Sequence, residues 1–206
     1  MAQLFNAVPA NDLPDAPRYN VCPTTPVHVI RAGEGDRRLV AMRWGFIPMW
    51  YKKPSGGPLL INARAETIAE KPAFRKAVRE RRCLIPATGF YKWTKDADGN
   101  RLPWYIHRTD SAPIAFAAVW QSWGGDDPVD TCAMVTTAAT GRMTDIHHRV
   151  PVMLEPANWP LWLGEAGKGA APLMRAPDEG VFDWHRVERA VNSNKAQGPE
   201  LIEPFG

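Results

Sequence analysis

No two cysteines of this sequence stand in a CxxC pair, and no apolar run approaches the roughly 20 residues that a membrane-crossing helix needs. Cys22, Cys83 and Cys132 are odd in number and far apart, so neither a disulfide framework nor a cysteine zinc site follows. The start, Met1-Ala2-Gln3-Leu4-Phe5, lacks the basic region and apolar run of a signal peptide. These absences read as a chain of the reducing cytoplasm with no membrane partner. Also missing are a serine nucleophile elbow, a Walker loop and a dinucleotide fingerprint. Internal repeats and low-complexity tracts are absent as well.

What is present is a chain of 206 residues, long for one domain and short for two. Its apolar fraction of 45% and charged fraction of 23% are those of an ordinary folded domain. Twenty prolines and sixteen glycines predict many turns and little long helix. Nine tryptophans are many for this length, and flat rings serve both a core and the stacking of bases. A net charge of +3 permits a nucleic-acid partner without implying one. The run Lys71 to Arg82 concentrates Lys71, Arg75, Lys76, Arg79, Arg81 and Arg82 against Glu80 alone, either as a solvated helix face or as an electrostatic patch.

Short strand-like runs bounded by Gly, Pro or Asp fall at 27–32, 38–44, 83–85, 90–93, 104–108, 114–120 and 131–137. Asp98-Gly99-Asn100 reads as the tip of a hairpin joining 90–93 to 104–108. Helices are expected from Pro72, with Phe74, Ala77 and Val78 inward, and from Pro156, with Trp159, Trp162 and Leu163 on one face. The stretch before Pro23 reads as a surface run, and 51–58 as an exposed flap. Strand runs with helices to the side predict an α+β single domain.

Two stretches could carry chemistry. In Thr144-Asp145-Ile146-His147-His148-Arg149-Val150-Pro151, adjacent histidines on a strand would point to opposite faces, and no third metal ligand stands near. No metal is therefore expected; a histidine general acid or base and a hydrogen-bonded structural histidine both remain open. In Ile61-Asn62-Ala63-Arg64-Ala65-Glu66-Thr67, Asn62 and Arg64 share a face if the segment is a strand, and an amide beside a guanidinium can bind a phosphate. If it starts a helix, Asn62 is its cap and Glu66 a first-turn carboxylate. Cys22 could serve a cysteine peptidase, but a Cys before Pro23 in a turn is more often a packing residue. Lys92, in Gly89-Phe90-Tyr91-Lys92-Trp93, is either a strand-edge charge or a pocket amine among rings.

Taken in order, Arg18-Tyr19-Asn20-Val21, Trp44-Gly45-Phe46-Ile47-Pro48, Asn62 to Thr67, Arg82-Cys83-Leu84-Ile85-Pro86, Gly89-Phe90-Tyr91 with Trp93, His147 and Arg149 before Pro151, and Glu200-Leu201-Ile202 form one pattern. The pattern resembles the SOS response-associated peptidase (SRAP) family from about Arg18 to Pro204. That resemblance implies a single domain over 1–206, on a strongly curved, mostly antiparallel, barrel-like β-sheet with peripheral helices. It implies a monomeric, bacterial sensor of abasic sites in single-stranded DNA that needs no cofactor. In the family an N-terminal cysteine traps the ring-opened sugar: its amine forms an imine and its thiol closes a thiazolidine ring. The peptidase name refers to self-processing.

Carried over residue by residue, the resemblance makes Asn62 the residue that positions the N-terminal group and His147 a proton shuttle. Arg64 becomes a phosphate ligand, Trp93 a stacking platform and Trp50 a flap contact to DNA. Thr136 and Arg149 fall beside the strand. Two departures stand out. The family begins Met-Cys-Gly-Arg, whereas this sequence begins Met1-Ala2-Gln3, so a start segment is expected to be missing ahead of Met1; a paralogue that lost the nucleophile is the rival reading. Lys92 stands where the family has a glutamate, which reverses the charge and leaves an amine in the pocket. Without the cysteine, the expectation is an inactive cross-linker, weak adducts at Lys92, or a non-catalytic single-stranded DNA binder.

Overall fold

The computed structural model describes residues 1–14 and 17–206. Strands β2 (Pro26–Arg31), β3 (Arg37–Trp44), β5 (Arg82–Ala87), β8 (Ile114–Trp123) and β9 (Val129–Ala138) are neighbours in the order β3-β2-β5-β8-β9. A short parallel seam, Arg43 to Thr131 and Trp44 to Cys132, joins β9 back to β3 and closes the sheet into a barrel. The other barrel pairings are antiparallel. The barrel explains the near-continuous apolar runs of these strands: both faces are buried, one in the lumen and one under the peripheral segments. Val27, Val29, Val40, Met42, Cys83, Ile85, Phe116 and Cys132 form one cluster, and Ile30, Leu39, Leu84, Ala117 and Val135 form the other.

The outer cluster is roofed by α1 (Ala77–Glu80), by α2 (Trp159–Leu163) and by the N-terminal segment. Trp162 is fully buried and its indole N–H donates to the Cys83 carbonyl at 2.9 Å, which joins a buried polar atom to a barrel strand. Gly164 ends α2 at φ +87°, a left-handed position that suits glycine. The helix expected from Pro72 is only about one turn long, but Phe74, Ala77 and Val78 are inward as its spacing required. Arg82 donates to the carbonyls of Val78 and Arg79, both at 3.0 Å, so this member of the basic run caps the helix rather than facing a ligand.

The N-terminal stretch departs from the surface run expected of it. Phe5 is fully buried and stacks on Trp159 at 4.4 Å, and β1 (Ala7–Pro9) pairs in parallel with β3. Apolar periodicity could not reveal this, because one ring does the burying.

A second sheet, β6 (Gly89–Lys95), β7 (Arg101–Arg108) and β11 (Phe182–Arg186), packs beside the barrel in the order β11-β7-β6. The β6–β7 hairpin turns at Gly99, φ +83°, where the Asp96 carboxylate accepts from the backbone N–H groups of Asp98 (3.1 Å) and Asn100 (2.8 Å). One face of this sheet carries Tyr91, Tyr105 and His185 and is covered by the C-terminal tail around Val187, Val191 and Leu201. The other face carries Phe90, Trp104, Ile106 and Trp184 and is covered by Met143, Ile146 and Val150. The tail, polar by composition, is held by Asn20, whose amide donates to the carbonyls of Ser193 (3.0 Å) and Ala196 (3.1 Å). No helix among the described residues is long and apolar enough to cross a membrane.

Candidate functional site

The segment 61–67 is a strand, not a helix start. β4 (Asn62–Arg64) lies parallel to β9, with Ala63 fully buried and Asn62 and Arg64 exposed on the same side. Thr136 stands between Arg64 on β4 and Pro151 on β10 (Arg149–Pro151), which pairs antiparallel with the same strand. Among the described residues the Arg64 guanidinium has no acceptor, so its donors face solvent.

Arg149 is differently placed. Its fork donates to both carboxylate oxygens of Glu66, at 2.7 and 2.9 Å, and to the Thr136 carbonyl at 2.7 Å, with the Thr136 hydroxyl at 3.3 Å. Glu66 also accepts from Thr137 Oγ1 (3.2 Å) and the Ala138 N–H (3.1 Å). The paired guanidinium, above all, holds the Glu66 carboxyl down at about 2. The Arg149 fork is thus engaged within the protein, where this side chain ties β4, β9 and β10 together. The sequence showed Glu66 only as a possible helix-start carboxylate, because its partner lies 83 residues away.

His147 and His148 follow a 3₁₀ turn at Gly141–Asp145 and lie in a turn rather than on a strand. Their rings stack at 4.4 Å instead of pointing to opposite faces. His147 Nδ1 lies 2.9 Å from the Arg149 backbone nitrogen and 3.2 Å from its carbonyl oxygen, so either neutral tautomer finds a partner. Burial first, and then the nearby Lys92 charge, pushes its pKa below the ordinary 6.5. The ring is therefore neutral at pH 7. Among the described residues no three His, Cys, Asp or Glu side chains group closely enough to hold a metal ion.

Lys92 sits on β6 directly opposite Trp104 on β7, on the face covered by 143–150. The side chain is mostly enclosed, and among the described residues no carboxylate or hydrogen-bond acceptor meets its amine. Burial, and secondarily the Arg149 charge, pull its pKa down to about 8. The amine is not sealed: among the described residues the enclosed side-chain atoms without partners are the Nε atoms of Arg31, Arg149 and Arg186. Lys92 is thus a largely enclosed amine on the edge strand of its sheet rather than a fully solvated charge.

Trp93 takes the other side of the same strand. Its indole N–H donates to Asn192 Oδ1 at 2.6 Å, and the Arg101 guanidinium lies 4.5 Å over its ring. Adjacent strand residues face opposite ways, so the ring sharing the Lys92 face is Trp104 and not Trp93. Trp104 could have been found from sequence, since a hairpin centred on Asp98 pairs positions 92 and 104. Trp50 is 58% exposed on the flap, edge-on to Tyr51. The flap is tethered by Trp123, whose indole N–H donates to the Tyr51 carbonyl at 2.9 Å.

The cysteines lie apart from this cluster. Cys83 and Cys132 are fully buried and burial pushes both thiols up. Among the described residues the Cys22 sulfur meets only the two oxygens of Asn20, at 3.8 Å, and no base.

The closed barrel thus brings together an exposed amide–guanidinium edge, a neutral histidine and an unpaired amine. The family model described as SOS response associated peptidase (SRAP) matches residues 1–194, and the chain belongs to that family. It is 38% identical over 194 residues to the abasic site processing protein YoqW of Bacillus subtilis (strain 168), covering 91% of this chain and 86% of that one. It is 35% identical over 192 residues to the abasic site processing protein YedK of Escherichia coli (strain K12), covering 91% and 84%. A crystal structure of a protein from Bacteroides thetaiotaomicron superposes with a TM-score of 0.77 at 24% identity, over 88% of this chain and 82% of that one, and shares the fold.

Proposed function

We propose that this protein recognises abasic sites in single-stranded DNA and engages the ring-opened sugar aldehyde through Lys92. The observation that carries this reading is the enclosed, unpaired amine with a pKa near 8, since a nucleophilic amine must be neutral and reachable at working pH. The names of the relatives support the lesion as the substrate. Asn62 and Arg64 present the amide and the free guanidinium that take the sugar and its phosphate, and Trp50 on the flap offers a ring to a base.

The chemistry balances simply. The Lys92 nitrogen adds to the sugar C1′ carbonyl, giving a carbinolamine, which loses water to leave an imine. The neutral His147 ring lies close enough to feel the Lys92 charge and is suited to move the protons of these steps. Lysine carries no thiol beside its amine to close a second ring, so the adduct remains open to hydrolysis. The protein then shields the lesion reversibly where the family's aminothiol would seal it. The sealed Cys83 and Cys132 thiols, and the isolated Cys22, lend no support to a peptidase reading.

Borohydride reduction of a mixture with abasic single-stranded oligonucleotide tests the reading. The expected result is a heat-stable adduct that disappears in Lys92→Ala and with a tetrahydrofuran analogue lacking the aldehyde. Equal trapping by Lys92→Ala would remove Lys92 from the mechanism. The exposed Arg64 and Trp50 then favour the second reading, a non-covalent single-stranded DNA binder, which predicts binding without any adduct.

A further inference from the structure

The geometry points to Arg186 as a second phosphate-binding residue, held flat by Trp104, that carries the nucleic-acid groove from Lys92 across the small sheet to β11. Three cross-strand partners form the row: Arg186 opposes Trp104, and Trp104 opposes Lys92. Cross-strand partners share a face, and strands lie about 4.8 Å apart, so Arg186 stands roughly 10 Å from Lys92. This row lies one step beyond Phe90, Ile106 and Trp184, which the segment 143–150 covers.

Arg186 lacks the partners a structural arginine has. Arg149, Arg108 and Arg37 each fork onto a carboxylate. Among the described residues Arg186 meets no carboxylate or carbonyl; its Nε is sealed without an acceptor, while its terminal nitrogens are not. A guanidinium half removed from water and unpaired is costly unless a ligand completes it. Its plane is fixed instead by the Trp104 ring, 5.4 Å from Cζ, and Trp104 is itself fixed by donating to Thr94 Oγ1 at 2.9 Å. A planar, pre-oriented fork open at its tip matches the paired oxygens of a phosphodiester. Lys92 and Arg186 thus form two cationic posts on one face with a flat ring between them, and a single strand is the ligand whose charges recur along such a track.

This inference rests on the proposed lesion reading for its ligand, and one set of titrations separates the two. Abasic single-stranded oligonucleotides with the lesion central, at the 5′ end and at the 3′ end are bound to wild type, Arg186→Gln, Arg186→Lys and Trp104→Leu over a salt series, with thermal unfolding confirming each fold. With the central lesion, Arg186→Gln is expected to weaken binding about tenfold and to flatten the salt dependence by about 0.7 in log–log slope, the loss of one phosphate contact to a single strand. Arg186→Lys should recover the slope, and Trp104→Leu should weaken binding with the slope kept. One of the two end-lesion strands lacks the phosphate at Arg186 and should be indifferent to the substitution. An unchanged affinity and slope in Arg186→Gln, or equal losses with all three strands, would overturn the assignment even if wild type still traps the lesion through Lys92. Absence of Lys92-dependent trapping would instead remove the lesion reading, and the slope would still report whether Arg186 meets a phosphate.

Discussion

Replacing Lys92 with methionine is expected to make the protein more stable, because the site holds a charge that folding opposes. Methionine keeps the unbranched apolar stem and drops the ammonium. The lowered pKa, from 10.5 to about 8, corresponds at face value to a penalty of about 3 kcal/mol on the charged form, at 1.36 kcal/mol per tenfold. Water reaches the amine, so screening brings this to about 1–2 kcal/mol. For a chain of this length that is a rise in Tm of roughly 2–8 °C at pH 7. The sign follows from proton binding. Between pH 8 and 10.5 the unfolded chain keeps the proton that the folded chain has lost, so wild-type stability rises with pH across this window. The penalty is fully present below pH 8 and gone above pH 10.5. Denaturant unfolding of wild type and Lys92→Met at pH 7 and pH 10 should therefore show a gap that narrows at the higher pH. Tyrosine ionisation affects both proteins alike and cancels in the difference. A destabilised Lys92→Met at pH 7, or a gap that stays constant to pH 10, would refute the picture of an opposed, functional amine.

Two further outcomes follow from the same cluster. Glu66→Gln breaks the clamp on Arg149. The depressed Glu66 pKa would suggest about 3 kcal/mol, but the carboxylate is nearly half exposed, and about 1–2 kcal/mol is expected at pH 7. Because that pKa is lowered, the contribution is present above the unfolded value near 4.5 and is lost as pH falls toward 2, so thermal unfolding of the two proteins should converge in acid; parallel curves would sink the clamp. Borohydride trapping by wild type should rise about tenfold per pH unit below 8 as the neutral amine accumulates, and level off near the Lys92 pKa. A profile flat from pH 6 to 9 would exclude this amine as the nucleophile.

The strands of the barrel were legible because their both-faced burial writes itself as apolar runs between turn residues. Their closure was legible only through the family resemblance and not in the strand pattern, since it rests on a seam of two residue pairs between β3 and β9, strands some 90 residues apart. β4, β10 and β11 gave weak periodicity for a related reason: two are only three residues long, and β11 (Phe-Asp-Trp-His-Arg) has a single apolar alternation, Phe182 and Trp184, before Arg186 takes the next place on that face. At the site, the sequence left Asn62 and Arg64 either on one face of a strand or at a helix start, and the structure has the strand. Nothing local to Arg149 announces that Glu66, 83 residues away, comes to meet it.

Lys92 is the most informative case, because the register of the hairpin, centred on Asp98, sets position 92 opposite Trp104 and so decides which ring shares its face. The remaining question was what surrounds it, and that depends on long-range packing: burial comes first, and the nearby charge is Arg149, which Glu66 holds in place. For a carboxylate here burial and the Arg149 charge would act in opposite directions. For an amine both act together, and it sheds its proton more easily. The same surroundings therefore favour the neutral form of a lysine through both burial and charge, which is the property that the proposed role of Lys92 requires.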